Sequence, residues 1–169
     1  LAKDLKGYQN LAKLCSISHI DGFYYETRID KGLIEKYKEG LIVLSSNRNG
    51  SVANAILNVG ETQAEEELNW WKTQFGNDFY LEVWRHNLPE EKAVNTKFIE
   101  YSSQYNIPLI ASNNYFYLNK EDAEAHDILL CVNTGSKIEA EKRFKFPSTD
   151  FFFKTKDQMS KIFHDVPFA

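Results

Sequence analysis

Cysteine is scarce: Cys15 and Cys131 are the only two in 169 residues. Two cysteines cannot supply a disulfide framework or a cysteine-rich zinc site, which points to reduced thiols in a cytoplasmic protein. Proline (4) and glycine (8) are sparse and scattered, so no linker divides the chain, and its length suits one domain or part of one. No apolar run approaches membrane-spanning length, and the N-terminus lacks the charged-then-apolar pattern of a signal peptide; no membrane partner is expected. A basic excess is also missing. Lys+Arg number 20 against 24 Asp+Glu, a formal charge of −4, which argues against holding nucleic acid by charge alone and leaves a role beside a nucleic-acid enzyme open. There is no P-loop, no glycine-rich dinucleotide fingerprint and no Gly-x-Ser-x-Gly elbow. Repeats and low-complexity stretches are lacking as well.

What is present is core-forming material. Hydrophobic residues make up 43 %, with 9 Tyr and 12 Phe, which rules out a disordered tail. The chain opens Leu1-Ala2-Lys3 and closes Pro167-Phe168-Ala169; both ends read as interior to a longer protein.

Strand and helix signals alternate. Asp30 is placed to cap a short helix through Tyr37, with Gly40 to end it. Leu41 to Leu44 is an apolar run of strand length, followed by the polar turn Ser45 to Gly50. Ala64, Leu68, Trp71 and Phe75 fall on one face of a helix. Phe79 to Trp84 reads as the next strand. Pro89 suits the first turn of a helix carrying Val94, Phe98, Tyr101 and Tyr105. Ile107 to Ala111 is the third strand. Asn119 is placed to cap a helix with inner face Ala125, Ile128, Leu129 and Val132, ended by Gly135. Phe151 to Phe153 reads as a last strand and Asp157 as the start of a last short helix. Such alternation gives an α/β fold with parallel strands and right-handed crossovers, either an open doubly wound sheet or a (β/α) barrel.

In both forms ligands sit beyond the carboxyl ends of the strands. The residues there are Asn47, Arg48, Asn49 and Ser51; then Arg85, His86 and Asn87; then Ser112, Asn113, Asn114, Tyr115 and Phe116. Glu82, Trp84 and His86 share one face if the strand stays regular that far. Only His86 and, more weakly, Glu82 are good metal donors; the rest are amide, hydroxyl and guanidinium. Zinc takes about four His, Cys or carboxylate ligands, and Mg²⁺ or Mn²⁺ takes carboxylate or phosphate oxygens, so these residues alone read as a hydrogen-bonded mouth without a metal. The bland reading of a lone His after a strand, capping backbone groups, stands beside the ligand reading for His86. The acids around His126 read as first-turn partners of the helix dipole. Cys131, among leucines and Val132, reads as a small buried hydrophobe, Cys15 lies on a helix face, and Trp70-Trp71 reads as half core, half surface. His19 and His164 have no polar cluster around them.

These residues are similar to those of a known family. Leu1-Ala2-Lys3-Asp4 with Gly7-Tyr8 and Asn10-Leu11, Gly22-Phe23-Tyr24-Tyr25 through Arg28-Ile29-Asp30, Gly40 to Ser45, Phe79 to His86, and Asp122 to Cys131 with Asn133-Thr134-Gly135 resemble, in order, the PHP (polymerase and histidinol phosphatase) domain of the alpha subunit of bacterial DNA polymerase III. Phe144 to Pro147 and Asp165-Val166-Pro167 resemble the segments that close that domain. The resemblance implies that residues 1–169 are a partial PHP domain, the C-terminal portion of a (β/α)₇-type barrel without its first strands. It implies a parent that is a DNA-directed DNA polymerase (a nucleotidyltransferase of DNA replication) with Mg²⁺ in a separate palm domain. Complete PHP sites hold several metals on His, Asp, Glu and sometimes Cys, and hydrolyse phosphoesters.

The departures bear on that site. Asn47 stands where the family commonly has Cys, and Ser51 where it has Glu. Asn114 stands for a ligand Asp and Phe116 for a ligand His. His86 alone keeps a ligand position, with Glu82 a weak candidate; Arg28, Arg48 and Arg85 are further mouth residues. Losing two direct ligands should abolish tight binding of a metal cluster. The expectation is a degenerate scaffold without a catalytic residue or a cofactor of its own. It would brace the polymerase, meet DNA only through the parent and dock a proofreading exonuclease. One alternative is an active phosphoesterase or 3′–5′ exonuclease with Zn or Mn on His86, Glu82 and upstream residues. The other is a free-standing small-molecule binding module. Open strand edges also predict a non-native dimer of the isolated piece.

Overall fold

The computed structural model describes residues 1–169. Helix α1 (Leu5–Ile20) begins at Asp4, whose carboxylate caps the Gly7 N–H at 2.7 Å. A two-stranded antiparallel hairpin follows, β1 (Phe23–Tyr24) and β2 (Glu26–Thr27), turning at Tyr25 with φ 62°. Helix α2 (Lys31–Tyr37) is capped by Asp30, as its sequence predicts. Gly40 has φ +74° but stands beyond the helix end, which is at Lys38. Its role is a close approach. A Cβ on Gly7 would lie 1.9 Å from the Gly40 carbonyl oxygen, so two glycines let α1 cross the chain that enters the sheet.

The sheet has three parallel strands in the order β3 (Val43–Leu44), β4 (Phe79–Val83) and β5 (Leu109–Ala111). The mixed α/β class and parallel pairing agree with the sequence pattern, with three strands observed. Along β4 the residues alternate: Phe79, Leu81 and Val83 are buried and Tyr80 and Glu82 half-buried. The buried face packs under α4 (Glu61–Phe75) and α5 (Pro89–Tyr105), against Ala64, Leu68, Val94, Phe98 and Tyr101. Trp71 stacks on Phe75 and Phe79, while Lys31 lies over Trp70.

Some elements differ from expectation. The expected helix carrying Ala64 to Phe75 is α4, and a further helix, α3 (Ser51–Asn58), precedes it, the two separated at Gly60 with φ 149°. Phe151 to Phe153 is not a strand; Phe152 makes one parallel bridge with Tyr117. The last helix, α7 (Lys156–Ile162), starts one residue before Asp157 and is capped by Thr155 through a reciprocal capping box with Gln158. In α6 (Ala123–Thr134), reached through a short 3₁₀ turn that Asn119 caps and closed by Gly135 in the left-handed region, the expected inner face is the outer one. Cys131 is its only buried residue, whereas Ile128 is 47 % and Val132 72 % exposed. A 3.6-residue stripe shows which residues share a face, not what covers it.

The accessible surface is 10890 Å² for 19.6 kDa, against about 8,600 Å² for a compact monomer of that mass. No helix is long and apolar enough to cross a membrane.

Candidate functional site: the mouth at the strand ends

The loops after β3, β4 and β5 meet. From the first, buried Asn47 donates through Nδ2 to the Glu82 carbonyl (3.1 Å) and to Asn95 Oδ1 on α5 (3.0 Å). Asn95 in turn donates 2.6 Å to the Trp84 carbonyl. From the third, Ser112 Oγ donates to the Glu82 carboxylate at 2.5 Å. Asn47 Oδ1 and Arg48 Nε are buried with no partner within the protein.

His86 sits at the centre and is fully buried. Strand β4 ends at Val83, and the chain turns through Asn87 with φ 63°, which carries the His86 ring inward. Its Nδ1 lies 2.8 Å from Glu91 Oε1 and its Nε2 2.9 Å from the Asn114 carbonyl oxygen. Its backbone N–H donates to the other Glu91 oxygen at 2.6 Å. Both ring nitrogens are thus engaged, one by a carboxylate and one by a carbonyl oxygen. Burial opposes ionisation of Glu91. The hydrogen bonds from the His86 ring and backbone, with the nearby charges of His86 and Arg48, outweigh it and hold the carboxyl below its ordinary range. Phe151 closes the other side, its ring parallel to His86 at 4.4 Å and 11°.

The remaining positions fall as follows. Asn114 contributes its backbone carbonyl to His86. Phe116 is half exposed and packs on Phe146 (4.7 Å) and Phe151 (5.9 Å). Arg85 makes a bidentate pair with Asp165 at 2.6 and 2.8 Å and lies over Phe163; its hydrogen bonds hold the Asp165 carboxyl down at about 2. Arg28 takes no part in the hydrogen bonds that tie the mouth together and sits 5.8 Å over the Tyr24 ring in the hairpin. His126 packs among Phe116, Tyr117 and Phe146, and the acid beside it, Asp127, pairs with Arg143 at 2.6 Å rather than serving the helix dipole alone. A cleft of about 620 Å³ opens alongside, lined in part by Trp84, Asn87, Lys92 and the Arg85–Asp165 pair.

A metal cluster does not fit these residues. Both nitrogens of His86 are engaged, Glu82 is bonded to Ser112, and the other donors are amides and carbonyls. Nowhere do three His, Cys, Asp or Glu side chains form a group able to hold a metal ion. Sequence reading missed Glu91, Asn95 and Phe151 as parts of this site. Glu91 carried one signal: it is an acid in the first turn behind Pro89, an arrangement that also serves the helix dipole. The others carried none, because their partners lie far along the chain.

Comparison with known proteins places the chain. The PHP domain family model matches residues 1–86. The chain belongs to the PHP domain family. It is also similar, over nearly its whole length, to proteins named DNA polymerase III subunit alpha. It is 44 % identical over 169 residues to that of Borreliella burgdorferi, covering 100 % of this chain and 15 % of the relative. To that of Thermus aquaticus it is 37 % identical, covering 94 % of this chain and 13 % of the relative. To that of Aquifex aeolicus it is 39 % identical, covering 96 % and 14 %. The chain thus spans about a seventh of the length of these relatives.

Proposed function

We propose that this PHP domain is the metal-poor scaffold region of a bacterial DNA polymerase III alpha subunit. The parent is a DNA-directed DNA polymerase acting in the cytoplasm in DNA replication, with Mg²⁺ in a palm domain outside residues 1–169. The PHP region belongs to a (β/α)₇-type barrel that braces the polymerase and offers a docking face to a proofreading exonuclease subunit. The observation that carries the metal-poor reading is the engagement of both His86 nitrogens by Glu91 and the Asn114 carbonyl, which leaves neither nitrogen free for a cation. The relatives' name supports the polymerase parent, and the large accessible surface supports the bracing role.

Elemental metal analysis of the full-length chain, purified without chelator, tests the reading together with a 3′–5′ exonuclease assay. Sub-stoichiometric metal and no exonuclease activity are expected. Two or three tightly held Zn or Mn ions, with an exonuclease rate abolished by His86→Ala, would replace the reading with an active PHP phosphoesterase. Retained binding of the exonuclease subunit by the chain lacking only this region would remove the docking role.

A further inference from the structure

The donors at the mouth disagree with a metal cluster, yet the mouth is held shut, and beside His86 it contains a buried lysine. Lys154 is 7 % exposed, and a lysine this buried needs partners. Its Nζ donates to Asn113 Oδ1 at 3.1 Å and to the Asp150 carbonyl, and stands 4.4 Å from the centre of the Phe152 ring. The Asp150 carboxylate accepts from Asn87 Nδ2 in the loop after β4 and pairs with Lys120 at 3.3 Å. Asn113, in the loop after β5, is used at both ends, since its Nδ2 donates to the Phe152 carbonyl at 2.8 Å.

Two backbone hydrogen bonds run beside this cluster, Phe116 N–H to the Phe151 carbonyl and Phe153 N–H to the Tyr117 carbonyl, both 2.9 Å. Residues 150–154 are therefore laced to the loops after β4 and β5, and the lacing seats Phe151 on His86. An ammonium brings three donors and a full charge to two carbonyl-type oxygens and a ring face. A neutral side chain of the same length supplies neither.

We infer that the Lys154 ammonium is a resident cation of the mouth, cross-linking the closing segment 150–154 to the loop after β5 without any metal ion. The inference rests on the metal-poor reading above. Burial, with the nearby charge of Lys120, lowers the Lys154 pKa; the charges of Asp150 and Glu91 offset part of that fall.

The test is hydrogen exchange at the Phe116 and Phe153 amides in the full-length chain, for wild type, Lys154→Met and Lys154→Arg, with EDTA and with added Mn²⁺. Lys154→Met should speed exchange at these two amides about tenfold, with the amides of α4 unchanged and wild type indifferent to EDTA and Mn²⁺. Lys154→Arg should recover part of the protection by restoring the charge. Should Lys154→Met fail to fold, Asn113→Ala removes the acceptor instead and carries the same expectation. Acceleration below fivefold, an equal change across α4, or protection in wild type that EDTA removes or Mn²⁺ increases would overturn the inference. Elemental analysis of the same sample keeps the two claims apart. Stoichiometric metal defeats the metal-poor reading, whereas a metal-free chain whose Phe116 and Phe153 amides ignore Lys154→Met defeats only the role of Lys154.

Discussion

His86 lies flat against Phe151, 4.4 Å between ring centres, while Glu91 grips its Nδ1 at 2.8 Å and its backbone N–H at 2.6 Å. Removing one member of this buried pair strands the other. Glu91→Ala is expected to cost about 3–5 kcal/mol in urea unfolding, and His86→Ala a similar amount. The double variant should cost clearly less than their sum, because the second removal takes away a group already left unpaired.

Acid should weaken the fold through three carboxylates. Glu91, Asp127 and Asp165 all have folded pKa values below the unfolded range, Asp165 at about 2. A depressed pKa means the stabilisation is complete above the unfolded value, near 4 for a carboxylate, and is lost as pH falls through the folded one. Melting temperatures measured from pH 6 downwards should therefore decline below about pH 4. Asp165→Asn should flatten part of that decline and lower the plateau only slightly, since the pair with Arg85 is partly exposed.

Gly7→Ala should destabilise although alanine is the better helix former. The general preference favours alanine by about 1 kcal/mol inside a helix. Here the new methyl would meet the Gly40 carbonyl oxygen at 1.9 Å, and backbone cannot move aside as a side chain does. A net loss of about 2–3 kcal/mol in denaturant unfolding is expected. Gly32→Ala, whose Cβ would come no nearer than 3.5 Å to the Asp30 carboxylate, is the control and should be neutral or better.

Val132→Asp and Leu129→Asp should leave the stability of the isolated domain within about 0.5 kcal/mol, because both side chains already face water. If isolated domains pair through this stripe, the same changes should shift the population to monomer in sedimentation. An unchanged dimer would place the contact elsewhere.

Much of the local structure was legible. Asp30 as a helix cap, Gly135 as a helix stop, Pro89 in a first turn and the alternation along Phe79 to Val83 are set by neighbours a few residues away. The face of α6 and the break at Gly60 were not, because both depend on what the rest of the fold packs there. At the mouth, the positions His86, Asn47 and Asn114 were legible as strand-end residues, but their bonds were not. His86 reaches Asn114 across 28 residues and Asn87 reaches Asp150 across 63.

The sequence alone determined the α/β class and the parallel crossovers, since these follow from residue type and short-range spacing, while the family rests on ordered motifs shared with known proteins. Only the tertiary structure decided that His86 is locked between Glu91, Asn114 and Phe151, that Lys154 is a buried cation beside it, and that the α6 stripe faces outward. A side chain's partners across space depend on how distant segments cross, and no local period encodes that crossing.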